Sequence, residues 1–366
     1  MKLSVKRENL LKPLQVANSV VERRQSSPVL SNLLLTINGQ SLSMTGTDLE
    51  VEMITNAQLD SGENGEITLP ARKFLDICRT LPEGSVIEMI IDGERATIRS
   101  GRSRYTLSIL PAAEFPNMDT LETPFEFSVS QKQLKELIEK TQFCMAVQDV
   151  RYYLNGLLLE LSGGSLTAVA TDGHRLAFSR INLETPVSDD KQVIVPRKGI
   201  VELAKLLEDK DDPVTIQLGT NHIRLKLGDV VFTSKLIDGK FPDYNQVIPS
   251  NTDKVVESDR NRLLQAFTRA SVLSNEKYRG MRLTLEPNLL RATLHNPEQE
   301  EAEEELEVNY EGSEFEIGFN VSYFIDALHA IRGNDAQIHF TDSNHSCLIQ
   351  DKQDDSSRYV IMPMRL

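Results

Sequence analysis

One unit of roughly 120 residues is written three times along this 366-residue chain, and a chain built this way folds as repeats of one supersecondary design. Leu42, Leu166 and Leu290 fall at equal spacings of 124 residues, as do Asp48, Asp172 and Asn296. The segments around them, LSMTGTDLEVEM, LTAVATDGHRLAF and LRATLHNPEQEEA, each alternate apolar and polar residues before a turn rich in Asp, Asn or Gly. A second element repeats as RKFLDICRTL after Pro70, RKGIVELAKLL after Pro196, and NVSYFIDALHAI from Asn320. Pro at a helix start and apolar residues at helical spacing mark these as amphipathic helices. A third element opens each unit: LSVKRENLLKPLQVA, FSVSQKQLKELIEKT and VVESDRNRLLQAFTRA, a strand running into a helix, with Leu10, Leu134 and Leu263 equivalent. The Asp or Ser near these starts is expected to cap the helix.

Short alternating strands fill the rest, joined by turns such as Asn38-Gly39, Asp92-Gly93 and Gly163-Gly164. The fold class expected is α+β: three repeated domains, each with two helices packed on antiparallel sheet. Pro- and Asp-rich stretches at 116–124 and 242–253 separate the units, giving expected domains of 1–121, 122–246 and 247–366.

Charge distribution says more than charge balance. The 40 Lys and Arg against 54 Asp and Glu leave a net −14, which by itself disfavours a nucleic-acid binder. Yet the bases cluster on predicted helix faces. Lys198, Glu202 and Lys205 share one polar stripe, and Arg72, Asp76 and Arg79 repeat it. The opening helices add Lys6, Arg7 and Lys12, then Lys132, Lys135 and Lys140, then Arg260, Arg262 and Arg269. A single such stripe is an ordinary solvated face. Its recurrence points to a shared surface that meets phosphate, with the interspersed acids favouring loose contact. The first unit also carries Arg95, Arg99, Arg102 and Arg104, and the third carries the acidic run PEQEEAEEELE. Complementary patches on the two end units suit head-to-tail association of two chains.

Several classes are disfavoured. There is no P-loop and no GxGxxG. The six histidines lack zinc spacing, and Cys78, Cys144 and Cys347 form neither CxxC nor a disulfide framework. Asp172 and His174 share a strand face but have no nucleophile in a recognisable setting. No cofactor and no catalytic residue is expected. No apolar stretch reaches a membrane span, and the opening Met1 to Arg7 lacks the apolar region of a signal peptide, so the expected compartment is the cytoplasm.

The motifs TGTDLEVEM, PARKFLDICRTLPEG, QDVRYYLNG, ATDGHRLA, VPRKG, KLIDGKFPDY, SNEKYRG, NPEQEEAEE, GFNVSY and YVIMPMRL run the length of the chain. Together they resemble the beta subunits of bacterial DNA polymerase III, the replicative sliding clamps, most closely in their gammaproteobacterial form. The resemblance implies a homodimeric ring of six similar domains, with helices lining a hole for duplex DNA and sheets outside. It implies DNA contacts at Arg24, Gln148, Tyr152, Tyr153, Arg197 and Lys198, to which the stripes add Arg72 and Lys205. It implies a dimer interface with Tyr105, Leu107, Val272 and Leu273 at its apolar centre. Around these stand Arg102 and Arg104 opposite Glu298, Glu300, Glu303 and Glu304.

A groove between the second and third domains is also implied, receiving short apolar motifs of the replicative polymerase, the clamp loader and repair polymerases. Its matching positions are Leu154, Thr171, Gly173, His174, Arg175, Leu176, Pro242, Val247, Ser346, Val360, Met362, Pro363 and Met364. Gln246 and Asn344 stand where the family pattern carries an arginine and an aliphatic residue. The residues themselves support a groove. ATDGHRLA departs from its repeat copies at Gly173 to Leu176, and the Met-rich tail VIMPM is the adaptable kind of surface that varied partners need. The competing reading is a repeat scaffold that binds only proteins; the basic stripes separate the two.

Overall fold

The computed structural model describes residues 1–22, 27–116, 118, 125–184 and 190–365. The first repeat runs β1 (Lys2–Lys6), α1 (Arg7–Asn18), β2 (Asn32–Asn38), β3 (Ser41–Thr47), β4 (Val51–Gln58), β5 (Ser61–Gly62) and β6 (Gly65–Pro70). It continues α2 (Ala71–Thr80), β7 (Val86–Asp92), β8 (Arg95–Ser100) and β9 (Ser103–Ser108). The second runs β10 (Phe125–Ser130), α3 (Gln131–Glu139), β11 (Gly156–Ser162), β12 (Ser165–Thr171) and β13 (Arg175–Asn182). After these come β14 (Lys191–Pro196), α4 (Arg197–Leu206), β15 (Pro213–Leu218), β16 (His222–Leu227) and β17 (Val230–Lys235). The third runs β18 (Lys254–Asp259), α5 (Arg260–Ala270), β19 (Gly280–Glu286), β20 (Leu289–His295) and β21 (Glu301–Glu307). It closes with β22 (Phe315–Asn320), α6 (Val321–Ala330), β23 (Asp335–Phe340), β24 (Cys347–Asp351) and β25 (Ser357–Ile361).

The helix starts lie where the prolines and Asn320 put them. Gly39, Gly93, Gly163 and Gly164 all take positive φ, as the hairpin turns require. The helix N-termini are satisfied in an unexpected way. Asp259 accepts a hydrogen bond from the Arg262 N–H at 2.8 Å, as a cap should. Lys6, preceding α1, makes no side-chain cap bond. Instead the loop after each second helix reaches back. Arg7, Gln131 and Arg260 donate their N–H groups to the carbonyls of Ser85, Asp212 and Asn334, at 2.9, 2.9 and 2.7 Å. One orphan donor per repeat is thereby paired by the same long-range contact.

Two compact units form, and their borders cut through the second repeat. Unit 1 holds residues 1–132 and 201–236. It contains a five-stranded sheet, β5-β1-β7-β8-β9, and an eight-stranded sheet, β10-β15-β16-β17-β4-β3-β2-β6. Unit 2 holds residues 133–200 and 237–366. It contains β14-β11-β12-β13-β25-β24-β23-β18 and the four-stranded sheet β21-β20-β19-β22. All pairings are antiparallel.

Helices pack on these sheets through the apolar stripe read from their spacing. In unit 1, Leu10 and Leu14 of α1 and Phe74 and Leu75 of α2 join Leu33, Leu35, Met44 and Leu69 in one core. Asn18, buried at the end of α1, donates to the Ala71 carbonyl at 2.7 Å and ties the helices together. Gly46 lets α1 approach the sheet: a Cβ there would lie 2.2 Å from the Ala17 carbonyl oxygen. In unit 2, Phe267 of α5 meets Phe324 of α6 edge to face, ring centroids 5.6 Å apart.

Candidate partner groove and nucleic-acid interface

The apolar cluster of unit 2 gathers side chains distant in sequence. Leu154, Leu176 and Val360 are each 1–2% exposed and pack with Phe178, Leu348, Phe241 and Tyr244; Val247 and Ile248 close over them. The strand register explains this. Leu176 lies opposite Val360, and Val360 opposite Leu348, so three neighbouring strands present one apolar ladder. Tyr244 is fixed by donating its hydroxyl to Glu160 at 2.7 Å, and burial with that acceptor raises the phenol's pKa.

At the edge of the ladder, the turn 171–175 is built by short local bonds. The Asp172 carboxylate accepts the N–H groups of His174 and Arg175, at 2.9 and 3.1 Å. Gly173 has φ +87°, and a Cβ there would meet the Arg151 guanidinium at 2.8 Å. The positive φ is what calls for glycine here, since the Arg151 guanidinium could shift aside. The tail joins the same turn: Met362 donates its N–H to the His174 carbonyl at 2.9 Å, and Met364 to the Gly318 carbonyl at 2.8 Å. Met362 is 40% exposed, while Val360 is buried, so the tail ends the sheet with Val360 and offers Met362. Pro242 and His174 are exposed; Thr171, Gly173, Ser346, Pro363 and Met364 are half-buried. Gln246 donates to Asp243 at 2.9 Å, and Asn344 is exposed.

Sequence reasoning missed most of the floor: Phe178, Phe241, Tyr244, Ile237 and Leu348. Read alone, each is an ordinary core residue; the only available signal was their alternation on strands flanking the motif.

The implied DNA-contacting set is spread over both units. Arg24 lies outside the described residues. In unit 1, Arg72 is exposed and Lys205 is exposed beside Glu202, 2.7 Å away. The stripe on α4 is not what spacing suggested. Glu202 is only 8% exposed, while Lys205 on the same stripe is exposed, so the carboxylate is buried within a row whose lysine reaches solvent. In unit 2, Gln148, Tyr152 and Tyr153 sit on one irregular segment. Gln148 takes positive φ, and Val147, Val150 and Tyr152 are 68%, 95% and 57% exposed. Arg197 is half-buried, its Nη1 donating to the Met145 carbonyl at 3.1 Å, which sets it beside this segment. Lys198 is half-buried.

The implied dimer residues lie on two sheet edges. β9 closes the first sheet of unit 1, with Arg102 and Arg104 exposed and Tyr105 and Leu107 leaning on the core. β21 closes the four-stranded sheet of unit 2, with the Ser271–Leu273 turn beside it and Val272 78% exposed. Strand alternation divides the acids. Glu304 turns toward α5 and accepts two bonds from Arg269, at 2.8 and 2.6 Å, which hold its carboxyl below the usual range. Glu303 and Glu305 face Arg291 on the other side. Glu300 accepts from Asn296, and Glu298 is exposed.

Asp172 is occupied by its own turn and by Arg175, and burial pushes the Cys78 thiol up to about 12. Among the described residues, no group of three or more His, Cys, Asp or Glu gathers to hold a metal, and no helix is long and apolar enough to cross a membrane.

Family models for the DNA polymerase III beta subunit match nearly the whole chain: the N-terminal domain over residues 1–119, the central domain over 128–243 and the C-terminal domain over 245–365. The chain belongs to the DNA polymerase III beta subunit family. It is 53% identical to the beta sliding clamp of Pseudomonas aeruginosa and 52% identical to that of Escherichia coli, over 100% of both chains in each case. The crystal structure of the Pseudomonas aeruginosa subunit superposes with a TM-score of 0.97 at 52% identity, covering 100% of each chain. A structure of that organism's clamp bound to griselimycin also gives 0.97, at 53% identity and the same coverage. The Caulobacter crescentus subunit gives 0.94 at 39%, again over 100% of each. The gammaproteobacterial likeness and the three-domain clamp fold read from the motifs are both present. The function that follows is that of a sliding clamp for DNA polymerase III, a processivity factor by family.

Proposed function

We propose that two copies of this chain close head to tail into a ring that encircles duplex DNA, slides along it, and tethers the replicative polymerase through the groove of unit 2. One observation carries the ring. Both eight-stranded sheets are assembled by the same rule: four strands of one repeat meet four strands of the next, through β17–β4 in unit 1 and β13–β25 in unit 2. By the same rule, β9 and β21 lack a partner of this kind. A β9–β21 pairing between two chains completes a third sheet, β1-β7-β8-β9 with β21-β20-β19-β22, in the order the other two already have.

The register carries over as well. Ile54 lies opposite Val231, and Phe178 opposite Arg358. Ile54 and Phe178 are each two residues past the pair closing their hairpin, Thr47–Glu52 and Thr171–Leu176; past His295–Glu301 the equivalent is Glu303. Val231 and Arg358 pair with Lys226 and Gln350; the equivalent pairing Arg99 on β9 is Arg104. Arg104 then stands opposite the partner copy's acidic strand at Glu303, an opposite-charge pair worth about 0.2–1 kcal/mol. Tyr105, Leu107, Val272 and Leu273 supply the apolar burial, with Arg102, Glu298, Glu300 and Glu304 around them.

Inside the ring, Arg24, Arg72, Gln148, Tyr152, Tyr153, Arg197, Lys198 and Lys205 hold phosphate weakly and let it pass. The domains are the three repeats, 1–121, 122–246 and 247–366. The chain acts without a catalytic centre or cofactor of its own, in the cytoplasm, and opening of the ring falls to a clamp loader. The deciding experiment compares retention on nicked circular DNA before and after linearisation, at moderate salt. Release on cutting is expected; equal retention on both forms refutes the topological reading and favours the protein-only scaffold.

A further inference from the structure

Arg175 has a guanidinium bonded at each of its three nitrogens. Its Nε donates to Asp172 at 3.1 Å, its Nη1 to Asp326 on α6 at 2.5 Å, and its Nη2 to the Phe143 carbonyl at 2.8 Å. One face lies over the Tyr323 ring, 4.4 Å from its centroid, and the side chain is 14% exposed. A planar fork engaged at all three nitrogens and stacked on a ring has little left to offer a ligand. What it holds is the turn. Thr171 donates its hydroxyl to the Arg175 carbonyl at 2.7 Å, Asp172 clamps the turn's N–H groups, and Arg151 backs it beneath Gly173. The tail bonds to this turn at His174, and Leu176 enters the apolar ladder one residue later.

The latch belongs to this junction alone among the two within the chain. Val51 occupies the equivalent turn position of the first repeat, where it is buried and apolar. Asp326 stands on the helix stripe equivalent to Asp76 and Glu202, yet it spends a carboxylate oxygen on the turn of the preceding repeat.

We propose that Arg175 and Asp326 are positioning residues of the partner groove: their ion pair fastens the rim turn of the second repeat to α6 of the third. The inference rests on the groove reading above. A change on α6 therefore alters partner affinity from outside the groove.

The test titrates the full-length dimer with the polymerase subunit of DNA polymerase III. Asp326→Asn is expected to weaken binding by about 2- to 30-fold, the range for residues that act on a site through others. Asp326→Glu restores most of the affinity and leaves the thermal unfolding midpoint where it was. Arg175→Ala gives a comparable loss, and the double variant Arg175→Ala/Asp326→Asn binds no worse than Arg175→Ala, because the pair is already broken. Wild-type affinity in Asp326→Asn, fully additive losses, or no rescue by glutamate overturns the proposal. A chain lacking residues 362–366 reads the groove itself: unimpaired binding there sinks the groove reading, whereas tail-dependent binding that ignores Asp326 sinks only the latch.

Discussion

The two eight-stranded sheets share one topology but differ at three equivalent positions of one cross-strand ladder. In unit 2 the cross-strand ladder is Leu348, Val360 and Leu176; in unit 1 the equivalent ladder is Arg224, Thr233 and Glu52. Arg224 donates to Thr233 at 3.1 Å, Thr233 is fully buried, and Glu52 is 6% exposed. Burial raises the Glu52 pKa, while a Met118 backbone hydrogen bond and Arg224 oppose the shift. The same backbone therefore carries a dry apolar floor once and a polar, internally bonded one once. The first floor underlies an exposed rim at Met362, Pro242 and His174, whereas the second is tied up in its own polar contacts. The repeat supplies the frame twice, and three side chains set whether its floor is apolar or polar.

Transplanting the polar ladder breaks this comparison most severely. The triple variant Leu176→Glu, Leu348→Arg, Val360→Thr should lose polymerase binding by roughly 10-fold or more, since an apolar segment laid over polar groups costs about 1–3 kcal/mol for each one left unpaired. Sedimentation should still show a dimer, because unit 1 demonstrates that this ladder fits the sheet. Binding that survives the triple would mean the partner does not use this face.

The third junction, between chains, should respond less. Val272→Ala with Leu273→Ala removes apolar cover at about 1–3 kcal/mol per side chain and should favour monomer in sedimentation equilibrium. Reversing charge at Arg104→Glu or Glu303→Arg should weaken association slightly, and combining the two should recover it; no recovery would mean the register carried over from the other two sheets is wrong.

The smallest expected effect is a pH dependence. Glu52 has a folded pKa above its unfolded value, so its ionised form destabilises the fold and stability is gained as pH falls through the raised pKa toward about 4.5. The unfolding midpoint of the wild type should therefore rise relative to Glu52→Gln between neutral pH and about pH 5. A constant difference across that range would show that Glu52 is not the buried carboxylate that distinguishes unit 1.

Much of the architecture was legible because it is local. Pro70, Pro196 and Asn320 mark helix starts through φ and through lost or gained hydrogen bonds, and Gly39, Gly93 and Gly163 mark hairpins through positive φ. The turn from Gly173 to Leu176 was legible too as a break in the repeat. The apolar floor was not: Phe178, Tyr244 and Leu348 acquire their role only when strands from two repeats pair. The burial of Glu202 was not legible for a related reason, because helical spacing fixes which residues share a face but not how far each side chain on it reaches solvent.

The chain's own order of residues thus determined three copies of one α/β unit, the position of their turns and helices, and the opposite charges of the end copies, all consequences of backbone preference and periodicity. Tertiary structure alone decided that sheets are shared across repeats, that β9 and β21 are left as sheet edges, and that Arg175 reaches Asp326 across 151 residues of sequence. Such contacts depend on how distant segments pack, and a guanidinium's partner is set by the cavity it enters rather than by its neighbours along the chain.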